Sequence, residues 1–459
     1  MANLLLMRRH LARDRFVAGV VVASFVALGS VVAPTVSSAA AGPTTFKKIV
    51  FKKAGGEPNV SISPDGRTVL VDGLGGSPAT LFRSLDGGRS FRPLKATFPM
   101  EGGGDFDMRW INNSTVVAAD LSLSNGIYVH RSSDRGKTWT TANIHTDVYD
   151  RPWLATFGDT VYVVAKGFDG IPYCYISHDQ GQTFDPTPIP VYGTGTNPNP
   201  GEAYGTNANA YVDHAMTDPT TGQLYVLYGI DTAQTLGQTG PTGGPNRLYV
   251  AKLETDPIPQ FTSQPVYMGG ATDDFIDGFN WLAIDSKSTL YVLGNGLHNG
   301  KHTTWLSHSS DGGVHFSKLK NVGLAGGVNV YGSIAAGRPG TLSLVYLRGP
   351  KKVPGAAQRW HAEMARITMA DQANPKVKTW RPIKKPIHKK DICVDGIVCG
   401  LPGFGENRDL LDYIWNAVSP SGRAFAVIAS DGPASNGDGV SAILIRQTTG
   451  KRLGRGMPS

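Results

Sequence analysis

Charge is sparse in this chain and cysteine nearly absent. Asp, Glu, Lys and Arg make up 17% of its 459 residues, and there are three cysteines. No Cys-x-x-Cys pair occurs, so there is no zinc-site signal. No G-x-S-x-G elbow and no H-E-x-x-H helix is present, which argues against a serine-elbow hydrolase or a zincin. Only one long apolar run appears, near the N-terminus. What abounds is backbone punctuation, with 57 Gly and 30 Pro. These interrupt long helices and coiled coils. Disorder throughout is excluded by 8 Trp, 16 Tyr and 17 Phe, ample material for a core. A large, turn-rich, all-β protein remains.

The first residues read as an address. Arg8, Arg9, Arg13 and Arg15 precede an apolar run from Phe16 to Val32, which ends in the small-residue stretch Ser37 to Ala41. This is the pattern of a cleaved export signal, and the run is at the short end for a membrane span. The expected division is a signal peptide over 1–41 and a mature, secreted domain over 42–459. Removing residues 1–41 takes four Arg and Asp14 from the formal charge of +8, and the remaining excess of about +5 concentrates in Lys47, Lys48, Lys52 and Lys53 and in the segment from Lys376 to Lys390. Without aromatics interleaved at a recognisable spacing, these read as solvated loops, with no nucleic-acid partner expected. In an oxidising compartment Cys393 and Cys399, separated by a short loop, are expected to pair. Cys174 is then left as a buried thiol in a strand.

One pattern recurs four times: S-x-D-x-G-x-x-[FW], at Ser84 to Phe91, Ser132 to Trp139, Ser177 to Phe184 and Ser309 to Phe316. Its residues suit a hairpin turn. The Asp (Asp86, Asp134, Asp179, Asp311) accepts hydrogen bonds from turn amides, and Ser does so more weakly. Gly permits the positive φ of the reversal, and the aromatic packs on a neighbouring sheet. Alternating apolar strands precede each copy. Seven innermost strands are predicted, near Glu57–Ile62, Asp105–Trp110, Asp150–Thr156, Tyr211–Thr217, Asp277–Ile284, Asn329–Ala335 and Leu411–Ser419. The turn motif is degenerate in the fourth and sixth units. About 60 residues per unit exceeds the ~40–50 of compact propeller repeats, so insertions are expected at Ile189–Asn209, Thr232–Asn246 and Lys351–Gln358. The prediction is a single β-propeller of seven blades, with six or eight as alternatives. The spare strand Phe46–Phe51 would complete the last blade.

These repeats resemble the Asp-box, or BNR repeat, of sialidase-like β-propellers and related secreted glycoside hydrolases. The resemblance implies a ligand site at one mouth of the central channel, away from the boxes. At the starts of the innermost strands stand Glu57, Asp105 with Asp107, Asp150 with Arg151, Asp213 with His214, Asp277, Asn329 with Tyr331, and Arg408 with Asp409 and Asp412. Asp150, Asp105 and Tyr331 are the candidate catalytic residues, since paired carboxylates serve acid–base work when one is desolvated. Arg151, Trp153, Asp213, His214, Arg408 and Asp409 are the candidate ligand-binding residues. Arg151 could fork onto a ligand carboxylate and Trp153 supply a platform. For each Asp the competing role is capping a turn or binding strand-end amides.

The family uses three arginines on a carboxylate, a tyrosine nucleophile with a glutamate partner, and an aspartate acid/base. Tyr331-Gly332-Ser333, followed by Gly340 and LSLVY, is similar to the blade that carries the tyrosine. The early Arg-Ile-Pro strand is replaced by Glu57-Pro58-Asn59-Val60, and the fourth unit has neither the glutamate nor the following arginine. Two functions are therefore expected as alternatives. One is glycoside hydrolysis of an extracellular glycan or glycoconjugate by channel-mouth carboxylates. The other is non-catalytic binding of an extracellular glycan or protein. No cofactor is expected. Calcium at the Asp-rich mouth near Asp273 and Asp274 is the one metal weighed, and a metal shared by His298 and His302 is disfavoured. A monomer is expected.

Overall fold

The computed structural model describes residues 42–73, 80–94, 98, 105–122, 125–144, 152–191, 210–230, 246–270, 272–394, 407–436 and 439–456. Among them no helix is long and apolar enough to cross a membrane. Residues 1–41, the expected signal peptide, lie outside the described residues, as do Asp150, Arg151, Cys399 and most of the first two expected insertions.

Seven four-stranded antiparallel sheets follow one another along the chain. In blade 1, β2 (Val60–Ile62), β3 (Val69–Val71), β4 (Leu81–Ser84) and β5 (Arg92–Leu94) run outward from the axis. Blades 2 to 6 repeat the arrangement, with innermost strands β6 (Phe106–Trp110), β10 (Trp153–Phe157), β14 (Ala210–Thr217), β18 (Trp281–Ile284) and β22 (Val328–Ala336). Blade 7 differs. Its inner strands are β26 (Trp415–Val418), β27 (Ala424–Ser430) and β28 (Ser441–Gln447), and its outermost strand is β1 (Phe46–Phe51). Phe46 pairs with Gln447 and Phe51 with Ala442. The predicted fold, the blade count and the closing strand are all present.

The four boxes each join the third strand of a blade to its fourth, in blades 1, 2, 3 and 5. In the third, the Ser177 hydroxyl donates to Asp179 Oδ1 (2.8 Å) and accepts from Gly181 N (2.8 Å). Asp179 Oδ1 also accepts from Gln182 N and Thr183 N, and Oδ2 from the Thr183 hydroxyl. Gly181 has φ 84°, and a Cβ there would lie 3.3 Å from Val117 Cγ1 of blade 2. The turn therefore needs glycine for conformation and for close approach to the preceding blade. Blade 7 has no box because its third-to-fourth junction is the closure itself.

Polar side chains on and beside the two inner strands of each blade tie adjacent blades. Asp107 of β6 accepts from Leu154 N of blade 3 (2.9 Å) and from Asn59 Nδ2 of blade 1 (2.9 Å). Asp213 of β14 accepts from both the backbone and side-chain nitrogens of Asn280, each at 3.0 Å. Asn295 bonds both Gly332 N and Gly332 O, and Asn416 Nδ2 donates to Ser333 O. Buried polar groups require such partners, and here satisfying them sets the spacing between blades.

Candidate functional site

Antiparallel strands give the ring two ends. All seven innermost strands start at one, the leading end. At the other, the trailing end, they turn into their second strands, and the boxes lie there too.

The axis between the ends is filled. Trp153, His214, Trp281 and Trp415, from four innermost strands, meet with Phe279 and Tyr413 in one aromatic cluster. Trp153 lies 5.0 Å from His214, 5.7 Å from Trp281 and 6.1 Å from Trp415, centroid to centroid. His214 stacks on Trp281 at 4.6 Å. Arg109 covers the Trp415 ring at 4.9 Å and is ion-paired to Asp107. Side chains of the blades themselves form this plug. Trp153 and His214, expected to bind ligand, are buried within it, Trp153 with no exposed surface.

At the leading end a polar cluster draws on four blades. Asp277, just ahead of β18, is buried and accepts from His302 Nδ1 at 2.7 Å. Burial raises its carboxyl above the ordinary range, opposed by the hydrogen bond and charge of His302. His302 lies on β20 (Lys301–Ser309), the third strand of blade 5. Tyr331 interrupts the register of β22 with β23 (Thr341–Gly349) between Val330 and Ser333, and its backbone is left-handed at φ 55°. A β-bulge re-aims the side chain it carries. Here the phenol donates to the Cys393 carbonyl at 2.6 Å, while Tyr331 N donates to Asp277 O at 2.8 Å. Burial holds that hydroxyl well above its usual range, reinforced by Asp412 and opposed by Arg408. Arg408 and Asp412, ahead of β26, form an ion pair, and Asp412 N donates to Glu57 Oε1 at 3.0 Å. Glu57 (φ 45°) and Leu411 (φ 61°) are left-handed as well. Three non-glycine residues in this costly region, drawn together at one mouth, are the kind of strain that accompanies functional sites.

The cluster thus unites Tyr331 and Arg408 with Glu57, Asp277 and Asp412. Other candidates stand elsewhere. Asp213 is committed to Asn280, and burial raises it to about 7 despite those hydrogen bonds. Asp105 is partly exposed at the start of β6, where its carbonyl accepts from Leu121 N. Asp409 is exposed and bonds Lys390 (3.0 Å) and Asn407 (2.7 Å). His298 and His302 take different carboxylates, His298 Nδ1 lying 2.8 Å from Asp273. Asp273 also receives Tyr267 and Gly270, and among the described residues no group of three or more His, Cys, Asp or Glu side chains could hold a metal. Cys174 is free and buried, and burial pushes its thiol up. His302 was missed as an acid–base candidate. Its partner Asp277 is 25 residues upstream, and only the β18–β20 hairpins bring the two together.

The fold defines a seven-bladed β-propeller of the Asp-box type. No family model matches the chain, and no curated protein matches it. Its solved structural neighbours include the polysaccharide lyase Uly1 (TM-score 0.50, 9% identity, 90% of this chain and 100% of that one). They also include YCF48 bound to D1 peptide (0.47, 11%, 89% and 99%). A third is the GH74 xyloglucanase of Xanthomonas campestris (0.42, 14%, 84% and 54%).

Proposed function

We propose that this protein is an exported, glycan-active propeller whose leading-end cluster cleaves an acidic polysaccharide by elimination. The observation that carries the reading is the composition of that cluster. Its carboxylates are each engaged: Asp277 with His302, Asp412 with Arg408, and Glu57 with Asp412 N. The pair of available carboxylates that hydrolysis needs is replaced by a histidine held by an aspartate, a protonated tyrosine and an arginine. A His held at Nδ1 by a carboxylate is oriented for proton transfer through Nε2. Arg408, held in position by Asp412, is the cluster's cation and offsets the charge that develops on a uronate carboxylate beside it. His302 removes the proton on the carbon α to that carboxylate, and the electron pair forms the new C=C bond. The β C–O bond breaks, and the leaving oxygen takes a proton from Tyr331, whose phenol exchanges the Cys393 carbonyl for it. This is the reaction class in Uly1's own description.

Export follows from the N-terminal pattern, and a Cys393–Cys399 bridge would fix the segment whose carbonyl caps Tyr331. The cover on Tyr331, which is 2% exposed, favours a second reading, a propeller that binds a glycan without cleaving it. The experiment is ultraviolet detection of the unsaturated product after incubating mature protein with acidic and neutral polysaccharides. Product from an acidic polymer, abolished in His302→Gln and Tyr331→Phe, is the expected result. Saturable binding of such a polymer with no product would replace the enzyme with the binder. Cleavage without unsaturation would mean hydrolysis instead.

A further inference from the structure

The trailing end holds a funnel of 510 Å³, within the range of pockets that enclose small organic ligands. It is built from the ends of the innermost strands and the turns that follow them. Pro64, Pro219, Pro339 and Pro420, from blades 1, 4, 6 and 7, form much of its wall, with Trp110 and Phe157. Phe157 is 41% exposed at this mouth. Arg109, Arg338 and Arg455 also line the funnel, and among the described residues no Asp or Glu does.

The three arginines differ in standing. Arg109 is buried and paired to Asp107 behind the wall, so it closes the floor against the plug with its charge compensated. Arg338 and Arg455 are exposed, and no carboxylate stands among the described lining residues. Both are placed by backbone. Arg338 N donates to Leu453 O (2.8 Å), Leu453 N to Gly422 O (2.8 Å), and Gly456 N to Ser419 O (3.1 Å), which lays the C-terminal segment across blades 6 and 7 as far as the axis. A Cβ on Gly456 would stand 1.8 Å from Val418 O, so only glycine lets the segment lie flush there. Further arginines crowd this side. Arg366 is lowered by burial and by Arg338, and Arg423 by burial, Arg452 and Arg89. Within the funnel itself, two exposed arginines beside apolar walls leave a place suited to an anion.

We propose that this funnel binds a small organic carboxylate with an apolar face, at a site separate from the leading-end cluster. The carboxylate sits between Arg338 and Arg455, whose planar guanidiniums match its two oxygens. The apolar face packs on the proline, Trp110 and Phe157 walls. The aromatic plug blocks passage along the axis, so the ligand enters and leaves by this mouth.

The test is calorimetric titration of the mature protein with 2-naphthoate, using 2-naphthamide as the uncharged isostere. Saturable binding of naphthoate, at least tenfold weaker for naphthamide, is expected. Arg338→Ala/Arg455→Ala should weaken naphthoate at least tenfold, each lost charge-assisted contact being worth about a factor of ten or more. Both side chains are exposed, so the variant keeps the wild-type thermal midpoint, which is measured alongside. Arg408→Ala, at the opposite end, should bind naphthoate as wild type does while losing any polysaccharide cleavage. Absence of saturable binding to folded protein overturns the proposal. So does binding that survives the double arginine variant, or binding lost in Arg408→Ala.

Discussion

Trp153→Ala offers the most direct test of how the ring is held at its axis. The side chain has no exposed surface and touches His214, Phe279, Trp281, Tyr413 and Trp415, while its indole N–H donates to Val212 O at 3.1 Å. Removing a buried indole forfeits its transfer free energy and leaves a void that rigid neighbours fill only in part, a cost of about 3–5 kcal/mol. Those neighbours belong to three other blades, so the void has little means of collapsing and the upper half of the range is expected. Trp153→Phe keeps most of the ring packing and loses the bond to Val212, for about 1–2 kcal/mol. Guanidinium unfolding followed by far-ultraviolet circular dichroism measures both. The ratio between the two variants matters as much as the larger value. Below about 1 kcal/mol for Trp153→Ala, the aromatic cluster would be filler rather than the element that joins the blades.

Two further outcomes concern pH and the tethers. Burial pushes Asp179 up, but the hydrogen bonds from Thr183, Ser177 and Gln182 outweigh it and hold the carboxyl at about 2. Its contribution is therefore present above about pH 4 and lost as pH falls toward 2; Asp179→Ala should cost about 1–2 kcal/mol at neutral pH, and the gap to wild type should close in acid unfolding curves. A gap that stays constant to pH 2 would contradict the hydrogen-bonding account. Asp213 has the opposite sign: raised to about 7 by burial, it favours the folded state fully below about pH 4 and loses that advantage as pH climbs to 7, about 4 kcal/mol in all. Asp213→Asn, uncharged throughout, should flatten the stability profile over that window, and parallel profiles for variant and wild type would show that Asp213 ionises freely in the fold.

The architecture was legible because it repeats. Four copies of one turn, and seven apolar strand starts, each report the same local decision, and the closing strand followed from counting three strands in the last unit. The site was less legible because strand-start carboxylates look alike in sequence while their partners are remote. Asp107 is committed to Leu154, 47 positions on, and Asp213 to Asn280, 67 positions on. Asp277 was named, but His302, the residue that gives it chemical interest, carried no local signature. The trailing funnel draws one turn or strand end from each blade plus a glycine-pinned terminal segment, so no single stretch of sequence announces it. The leading-end strain at Glu57, Tyr331 and Leu411 was likewise invisible, since none of the three is a residue type that advertises a left-handed backbone.

The closure of blade 7 also sets the order in which the molecule can come into being. The hydroxyls of Thr45 and Thr448, 403 positions apart, lie 2.7 Å from each other beside the β1–β28 ladder. The earliest strand to be synthesised must therefore stay unpaired until the last has been made. Six blades can assemble in sequence, each on its predecessor, yet the circle stays open and the final sheet keeps a bare edge until the two ends of the chain meet. Loop-closure entropy makes that meeting a late event. Any chain cut short near its C-terminus arrives as an open arc, with an exposed strand edge at each end ready to pair with its like.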